Sequence, residues 1–340
     1  MPRQARIDAP GAVHHIIVRG IERRKIFLDD QDRDNFVNRL GDLVIETQTP
    51  CFAWALIPNH FHLLLQTGSV PIATLMRRLL TGYAIGFNRR HRRSGHLFQN
   101  RYKSILCEED VYLKELVRYI HLNPLRAKVV NDIVALEGYR FAGHSYLMGK
   151  QENDWQALDR VLSLFGKRTS PARRQYREYV KKGLDQGRRP ELIGGGLVRS
   201  TGGWEAVRSQ RQAGLLLKSD ERILGSSEFV GKVLAEAQEA MQNKYVLRSK
   251  GIGLDEVMKA VARELSIEMQ VLIGPGKGRT IVKARQLVCH WAVTELGLPM
   301  TDVARRLGIA VPTVSVAAKK GRELAIREQL VLVDLLNIKI

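Results

Sequence analysis

The chain has 340 residues, 44% of them hydrophobic and 26% charged. That composition excludes a disordered tail or a fibrous repeat and, at roughly 100–200 residues per domain, leaves room for two or three cores. Lys and Arg total 54 against 35 Asp and Glu, a formal net charge of +19, which favours a polyanionic partner, most often nucleic acid, over a small metabolite. Cys51, Cys107 and Cys289 are odd in number and show no CxxC spacing, so neither a disulfide framework nor a Cys-rich zinc site is expected. A reducing cytoplasm is the expected compartment. The longest apolar runs, at 52–57 and 330–333, fall far short of the ~20 residues that cross a bilayer, and the N-terminus lacks a signal-peptide core. No membrane partner is expected.

In chain order, Val13–Arg19 is a short apolar run with β-branched residues, closed by Gly20, and reads as a strand. Residues 29–46 place Phe36, Val37, Leu40, Leu43 and Val44 at helical spacing behind an acidic first turn, which predicts an amphipathic helix matched to its dipole. Residues 52–57 and 60–66 read as two strands broken by the turn dipeptide Pro58-Asn59. Helices follow at 72–88 and 109–122, the second stopped by Asn123-Pro124. The order β-α-β-β-α and a further helix predicts an α+β domain with an antiparallel sheet. Residues 151–249 read as a basic, all-α connector without assignable chemistry, and a new helical unit begins near 250.

No acidic residue lies between Glu46 and Glu108, whereas Arg77, Arg78, Arg89, Arg90, Arg92, Arg93, Arg101 and Lys103 all do. Solvated faces usually mix signs, because mixed charges form i,i+4 pairs. A one-signed stretch of this length reads as a surface matched to phosphates. Tyr83, Phe87, Phe98 and Tyr102 lie among the cations and would suit stacking on unpaired bases, although an ordinary core position is the commoner role for any one aromatic.

The most informative tripeptide is His60-Phe61-His62. On a strand, residues i and i+2 share a face, so both imidazoles converge while Phe61 points into a core. Two convergent imidazoles are a natural pair of divalent-metal ligands. On the later helix, Tyr119 and Asn123 are i,i+4 neighbours. Asn123 could complete a His-His-Asn shell, and Tyr119 beside it could attack a metal-polarised phosphodiester to give a phosphotyrosine. A phenol's ordinary pKa is ~10, so cations such as Arg118 would have to favour the phenolate. Tyr112, on nearly the same helix face, is the rival nucleophile.

The segments Pro58-Asn59-His60-Phe61-His62-Leu63-Leu64-Leu65, Gly95-His96-Leu97-Phe98-Gln99-Asn100-Arg101-Tyr102-Lys103-Ser104 and Tyr119-Ile120-His121-Leu122-Asn123-Pro124-Leu125-Arg126-Ala127, with the earlier His14-His15-Ile16-Ile17-Val18-Arg19-Gly20, resemble the REP-associated tyrosine transposases of the HUH (His-hydrophobic-His) superfamily. The resemblance covers about residues 8–148. It implies a ferredoxin-like α+β domain that cuts and rejoins single-stranded DNA beside hairpins. Carried over by position, His60 and His62 bind Mg²⁺ or Mn²⁺ with Asn123 as third ligand. Tyr119 is the nucleophile, leaving a 5′-phosphotyrosine and a free 3′-OH. Ile21 and the run Phe141-Ala142-Gly143-His144-Ser145 depart from the family pattern and bear on recognition of DNA ends more than on the chemistry.

Toward the C-terminus, residues 279–296 form an amphipathic helix; Thr301 then caps a short helix, Gly308 makes a turn, and Pro312 opens another helix. This is the helix-turn-helix pattern. Through Arg279–Val282, Ala284-Arg285-Gln286 and Thr313-Val314 it resembles the DNA-binding domain of the replication initiator DnaA, without that protein's base-reading residues. The resemblance implies a duplex-DNA reader, with Thr313, Ser315 and Lys319 as candidate groove contacts.

The expected organisation is therefore an HUH domain at 1–150, a connector at 151–249 and a helix-turn-helix domain at 250–340, in a nucleoid-associated protein that is monomeric or homodimeric. Two other readings stay open: a DNA-binding regulator that retains the fold without transposing, and a metallonuclease that uses His60 and His62 with water.

Overall fold

The computed structural model describes residues 7–9, 11–187, 189, 192–193, 220, 222–273, 276 and 278–338. They fall into two compact units: residues 1–45, 49–67 and 72–233 in one, and 46–48, 68–71 and 234–340 in the other. The segment expected as a connector is divided between them.

The first unit is built on β1 (Val13–Arg19), β2 (Cys51–Ile57), β3 (His60–Gln66) and β4 (Lys103–Cys107), with helices α1 (Asp30–Glu46) and α2 (Ile72–Arg90) between them. The strands lie in the order β2-β3-β1-β4, all neighbours antiparallel. With both connecting helices on one face, this is the ferredoxin-like β-α-β-β-α-β arrangement. The sequence reading missed β4. It also missed β5 (Ile223–Leu224), which pairs parallel with β4, so the sheet is mixed rather than wholly antiparallel.

Alternation sorts the strand residues into two cores. Ile16, Val18, Phe61, Leu63 and Leu65 pack against Phe36, Leu40, Leu75, Leu79 and Tyr83 of α1 and α2. Val13, Leu64, Ile105 and Cys107 face the other way, toward Leu113, Leu116, Val117 and Ile120 of α3 (Glu109–His121). Short helices α4 (Asn123–Arg126), α5 (Ile133–Gly138), α6 (Gly143–Leu147) and α7 (Leu158–Ser163), then α8 (Thr169–Lys181), complete this second layer. β1 ends at Gly20 for a steric reason: a Cβ there would lie 2.1 Å from the Arg24 carbonyl oxygen. The bare glycine lets residues 21–24 turn tightly, while its N–H donates to the Asn59 carbonyl (2.9 Å).

Helix α9 (Ser227–Ser249) carries the chain across the boundary at 233. The second unit then contains α10 (Leu254–Glu264), α11 (Arg279–Thr294), α12 (Met300–Leu307), α13 (Val311–Arg327) and α14 (Leu332–Leu335). Its core gathers Val261, Leu287, Trp291, Val303, Leu307, Val314 and Leu332. Gly321 is where α13 meets α11, since a Cβ there would lie 1.9 Å from the Gln286 carbonyl oxygen. The turn between α12 and α13 passes through Gly308 at φ 66°, the left-handed conformation that glycine adopts without penalty. The N-cap of α12 is Pro299, not Thr301, which lies inside the helix. All three cysteines are buried free thiols. Among the described residues no helix is long and apolar enough to cross a membrane.

Candidate active site

The site forms where β1 and β3 run side by side. Arg19 stands opposite His60 and Ile17 opposite His62. The rings of His60 and His62 meet edge to face, with centroids 5.3 Å apart, as the two-residue strand period requires, and Phe61 between them is fully buried in the opposite core. Burial and the nearby Arg19 charge push His60 down to about 4. His62 lies well below the usual histidine value, mainly through burial, with the neighbouring His15, His60 and Arg19 lowering it further. Both rings are thus neutral near pH 7, the state in which imidazole ligates a metal.

His15, on the same face of β1, stacks on His62 with centroids 5.2 Å apart, and its Nε2 lies 2.9 Å from His62 Nδ1. Its Nδ1 lies 3.2 Å from the carbonyl oxygen of Leu192. Asn59 accepts at Oδ1 from His60 Nδ1 (2.7 Å) and donates through Nδ2 to the Arg23 carbonyl (3.2 Å).

α3 brings Tyr119 to this group. Its ring stands edge-on to His62 at 5.9 Å and to His15 at 6.0 Å. Asn123, at the break after α3, is buried, and its amide Nδ2 donates to the Tyr119 carbonyl at 2.9 Å. The donating end is thereby committed to the helix, leaving Oδ1 as the end able to ligate. Two imidazole nitrogens and one amide oxygen make a mixed N,O donor set for a divalent cation, the amide oxygen being the donor that suits Mg²⁺ or Mn²⁺. Among the described residues no three His, Cys, Asp or Glu side chains gather into a metal cage.

The cation beside the phenol differs from the one expected. Arg118 turns away, bonding Glu115 at 2.6 and 2.7 Å and lying over Tyr179. Adjacent helix residues do not share a face. Arg126 instead covers Tyr119, with Cζ 5.1 Å from the ring centroid, and its buried Nε has no hydrogen-bond acceptor among the described residues. Arg126, Arg19 and His15 were quoted in the sequence motifs without a role; only the folded chain shows their position. Tyr112 is half-buried against the core formed with α3, and burial raises its phenol.

The basic residues separate by position. Arg77, Arg89, Arg92 and Arg101 are exposed, Arg78 and Arg93 are half-buried, and Arg93 lies over the ring of Phe87. Arg90 is already paired, binding Asp29 at 2.6 Å and Asp32 at 2.5 Å; the acids missing locally come from the start of α1. Lys103 donates to the Ile193 carbonyl. Tyr83, Phe87 and Tyr102 are buried core residues, which removes three of the four aromatics from any stacking role; Phe98 is half-buried.

In the second unit Thr313 and Lys319 are exposed on α13. Thr313 also lines a cavity of about 440 Å³ with Arg285, Gln286 and Lys320. Ser315 is corrected. It is 1% exposed, and its hydroxyl is bonded to the Ser69 hydroxyl at 2.6 Å and to the Glu46 carbonyl at 3.1 Å, so it presents nothing to a DNA groove.

Residues 10–123 match the family model for IS200-like transposases, leaving everything after residue 123 outside the match. Among solved structures, a REP-associated tyrosine transposase bound to a REP hairpin is similar to this chain at 15% identity. The match covers 46% of this chain and 94% of that one with a TM-score of 0.38. No curated protein matches.

Proposed function

We propose that the first unit is a single-strand DNA endonuclease and strand transferase of the tyrosine HUH kind. The observation that carries this reading is the meeting of the Tyr119 and His62 rings beside His60, within a region matching IS200-like transposases. Tyr119 Oη attacks phosphorus in line and the bond from phosphorus to the 3′-oxygen breaks. The phenol proton is lost to solvent, and the departing 3′-oxygen takes up a proton. The strand downstream of the break stays on Tyr119 through its 5′-phosphate as a phosphotyrosine, and the upstream strand leaves with a free 3′-OH. One phosphoester replaces another, so a later 3′-OH can reverse the step without ATP. His60, His62 and Asn123 would hold Mg²⁺ or Mn²⁺, which when bound polarises the scissile phosphate. Arg126 places a positive charge beside the phenol oxygen's ring, where negative charge accumulates. The exposed arginines Arg77, Arg89, Arg92 and Arg101 would hold the flanking hairpin through its phosphates.

The test is a denaturing gel with a labelled single strand carrying a hairpin beside the cleavage point, in Mn²⁺. A covalent protein–DNA species supports the strand transferase. Cleavage without an adduct would point to a hydrolytic metallonuclease, and binding alone to a regulator.

The second unit, in a nucleoid-associated cytoplasmic protein, is read as a duplex-DNA module resembling that of DnaA. The exposure of Thr313 and Lys319 on α13, after the Gly308 turn, supports this. Lys319→Glu in the full chain should weaken duplex binding and lower the salt slope by about one phosphate's worth. Unchanged duplex binding at every salt concentration removes α13 from the interface.

A further inference from the structure

We propose that His15 is a positioning residue that sets the tautomer of His62 by relaying the polarity of a main-chain carbonyl, and that Asn59 does the same for His60. The inference rests on the reading of His60 and His62 as metal ligands.

A carbonyl oxygen can only accept. His15 Nδ1, 3.2 Å from the Leu192 oxygen, therefore carries the ring hydrogen, and in a neutral ring Nε2 is then a bare acceptor. That acceptor lies 2.9 Å from His62 Nδ1, so the hydrogen between the two rings belongs to His62 Nδ1. The lone pair of His62 consequently sits on Nε2. The second relay runs the same way. The Arg23 carbonyl accepts from Asn59 Nδ2 (3.2 Å), which turns Asn59 Oδ1 toward His60 Nδ1 (2.7 Å), and the His60 lone pair is also left on Nε2.

In water a neutral histidine prefers the opposite tautomer, with hydrogen on Nε2 and the wrong nitrogen bare. Each relay holds its ring in the ligating form before any ion arrives, the usual task of a ligand's outer hydrogen bond. Water has little access to the His62 relay, because His15 is 0% and His62 3% exposed. Leu192, itself 1% exposed, packs into the core around α3, so its backbone is fixed where the relay begins. A stretch of chain whose sequence suggested no chemistry thus contributes to the site through one carbonyl group.

The experiment uses the full chain, metal-free and ¹⁵N-labelled, with side-chain tautomers read by long-range ¹H–¹⁵N correlation and Mn²⁺ affinity by electron paramagnetic resonance of the free ion. His60 and His62 are expected in the Nδ1–H form. His15→Ala should weaken Mn²⁺ binding by about 10–100-fold, the usual cost of losing such a partner, with helix content unchanged. His15→Gln should recover part of it, since an amide can donate to Leu192 and accept from His62. Hydrogen found on Nε2 of wild-type His62 overturns the relay whatever the variants do, including a His15→Ala protein that fails to fold. So does full Mn²⁺ affinity in a folded His15→Ala protein when His62→Ala has lost it. If His62→Ala binds Mn²⁺ as wild type does, the metal reading itself is what fails.

Discussion

The guanidinium of Arg126 lies over the ring of Tyr119, Cζ to centroid 5.1 Å, while one of its nitrogens also reaches the Tyr119 carbonyl at 3.4 Å. Its buried Nε has no acceptor among the described residues. Arg126→Gln should slow single-turnover adduct formation by about 10²-fold, the scale for removing one preorganised donor to developing charge. Arg126→Lys, which keeps the charge but not the planar fork, should fall between. Adduct formation at the wild-type rate in a folded Arg126→Gln protein would show that this cation is structural.

Tyr119→Phe keeps the ring that packs on His62 and His15 and removes only the hydroxyl. It should abolish the covalent adduct, whereas Tyr112→Phe and Tyr83→Phe should not. Tyr83 spends its hydroxyl on the Ile26 carbonyl and is buried on the opposite side of the sheet, so it can serve as the stability control. Persistence of the adduct in Tyr119→Phe would place the nucleophile elsewhere.

The arginines of the acid-free stretch should divide in function. Replacing Arg92 and Arg101 with Gln is expected to weaken hairpin binding and flatten its salt dependence, by about one unit of slope for each phosphate no longer neutralised. Arg90→Gln should act on stability instead, because Asp32 is 3% exposed and has Arg90 as its charge partner, with His91 Nε2 at 2.9 Å. A lower thermal midpoint with DNA affinity intact is the expected result. Loss of DNA affinity at an unchanged midpoint would reverse the assignment.

Acid should unfold the first unit through a buried histidine pair. His121 and His144 both bond the hydroxyl of Tyr176, at 2.8 and 2.6 Å, and are fully buried. Burial, with a smaller effect of the Arg177 charge, lowers His144 to about 3; burial and the His144 charge hold His121 well below the ordinary value. In the unfolded chain both titrate near 6.5. Between pH 6.5 and about 3 the unfolded state therefore binds more protons, and stability falls as pH falls, by about 1.4 kcal/mol per pH unit for each such histidine. Above 6.5 their contribution is complete and constant. Denaturant midpoints between pH 7 and 5 measure it, and His144→Gln should reduce the slope. An equal slope in that variant would show that His144 plays no part in the acid sensitivity.

Much of this was legible in local pattern. Strand alternation placed His60 and His62 on one face and Phe61 on the other, and helical spacing paired Tyr119 with Asn123, whose side chain does reach back to the Tyr119 carbonyl. What escaped is non-local. β4 is only five residues, Lys103–Cys107, too short for its alternation to stand out from the basic run before it, and β5 has two. Arg126 reaches Tyr119 only because the chain turns at Asn123-Pro124, whereas Arg118, its sequence neighbour, points elsewhere. Ser315 reads as a polar residue on a recognition helix until its buried hydroxyl is traced to Ser69 and Glu46.

The Leu192 carbonyl and the His15 ring that donates to it are 177 positions apart, and β5 joins the sheet from residue 223 onward. Pairings of such sequence separation form late, since the intervening chain must first be ordered. As the polypeptide emerges from the ribosome, β1 to β4 and Tyr119 are synthesised well before the residues that brace His62 and flank β4. The nascent chain therefore passes through a stage in which Tyr119 is present but the Leu192 carbonyl that bonds His15 is not yet made. A message truncated shortly after the Tyr119 codon would encode β1 to β4 without the Leu192 carbonyl that bonds His15 and without β5.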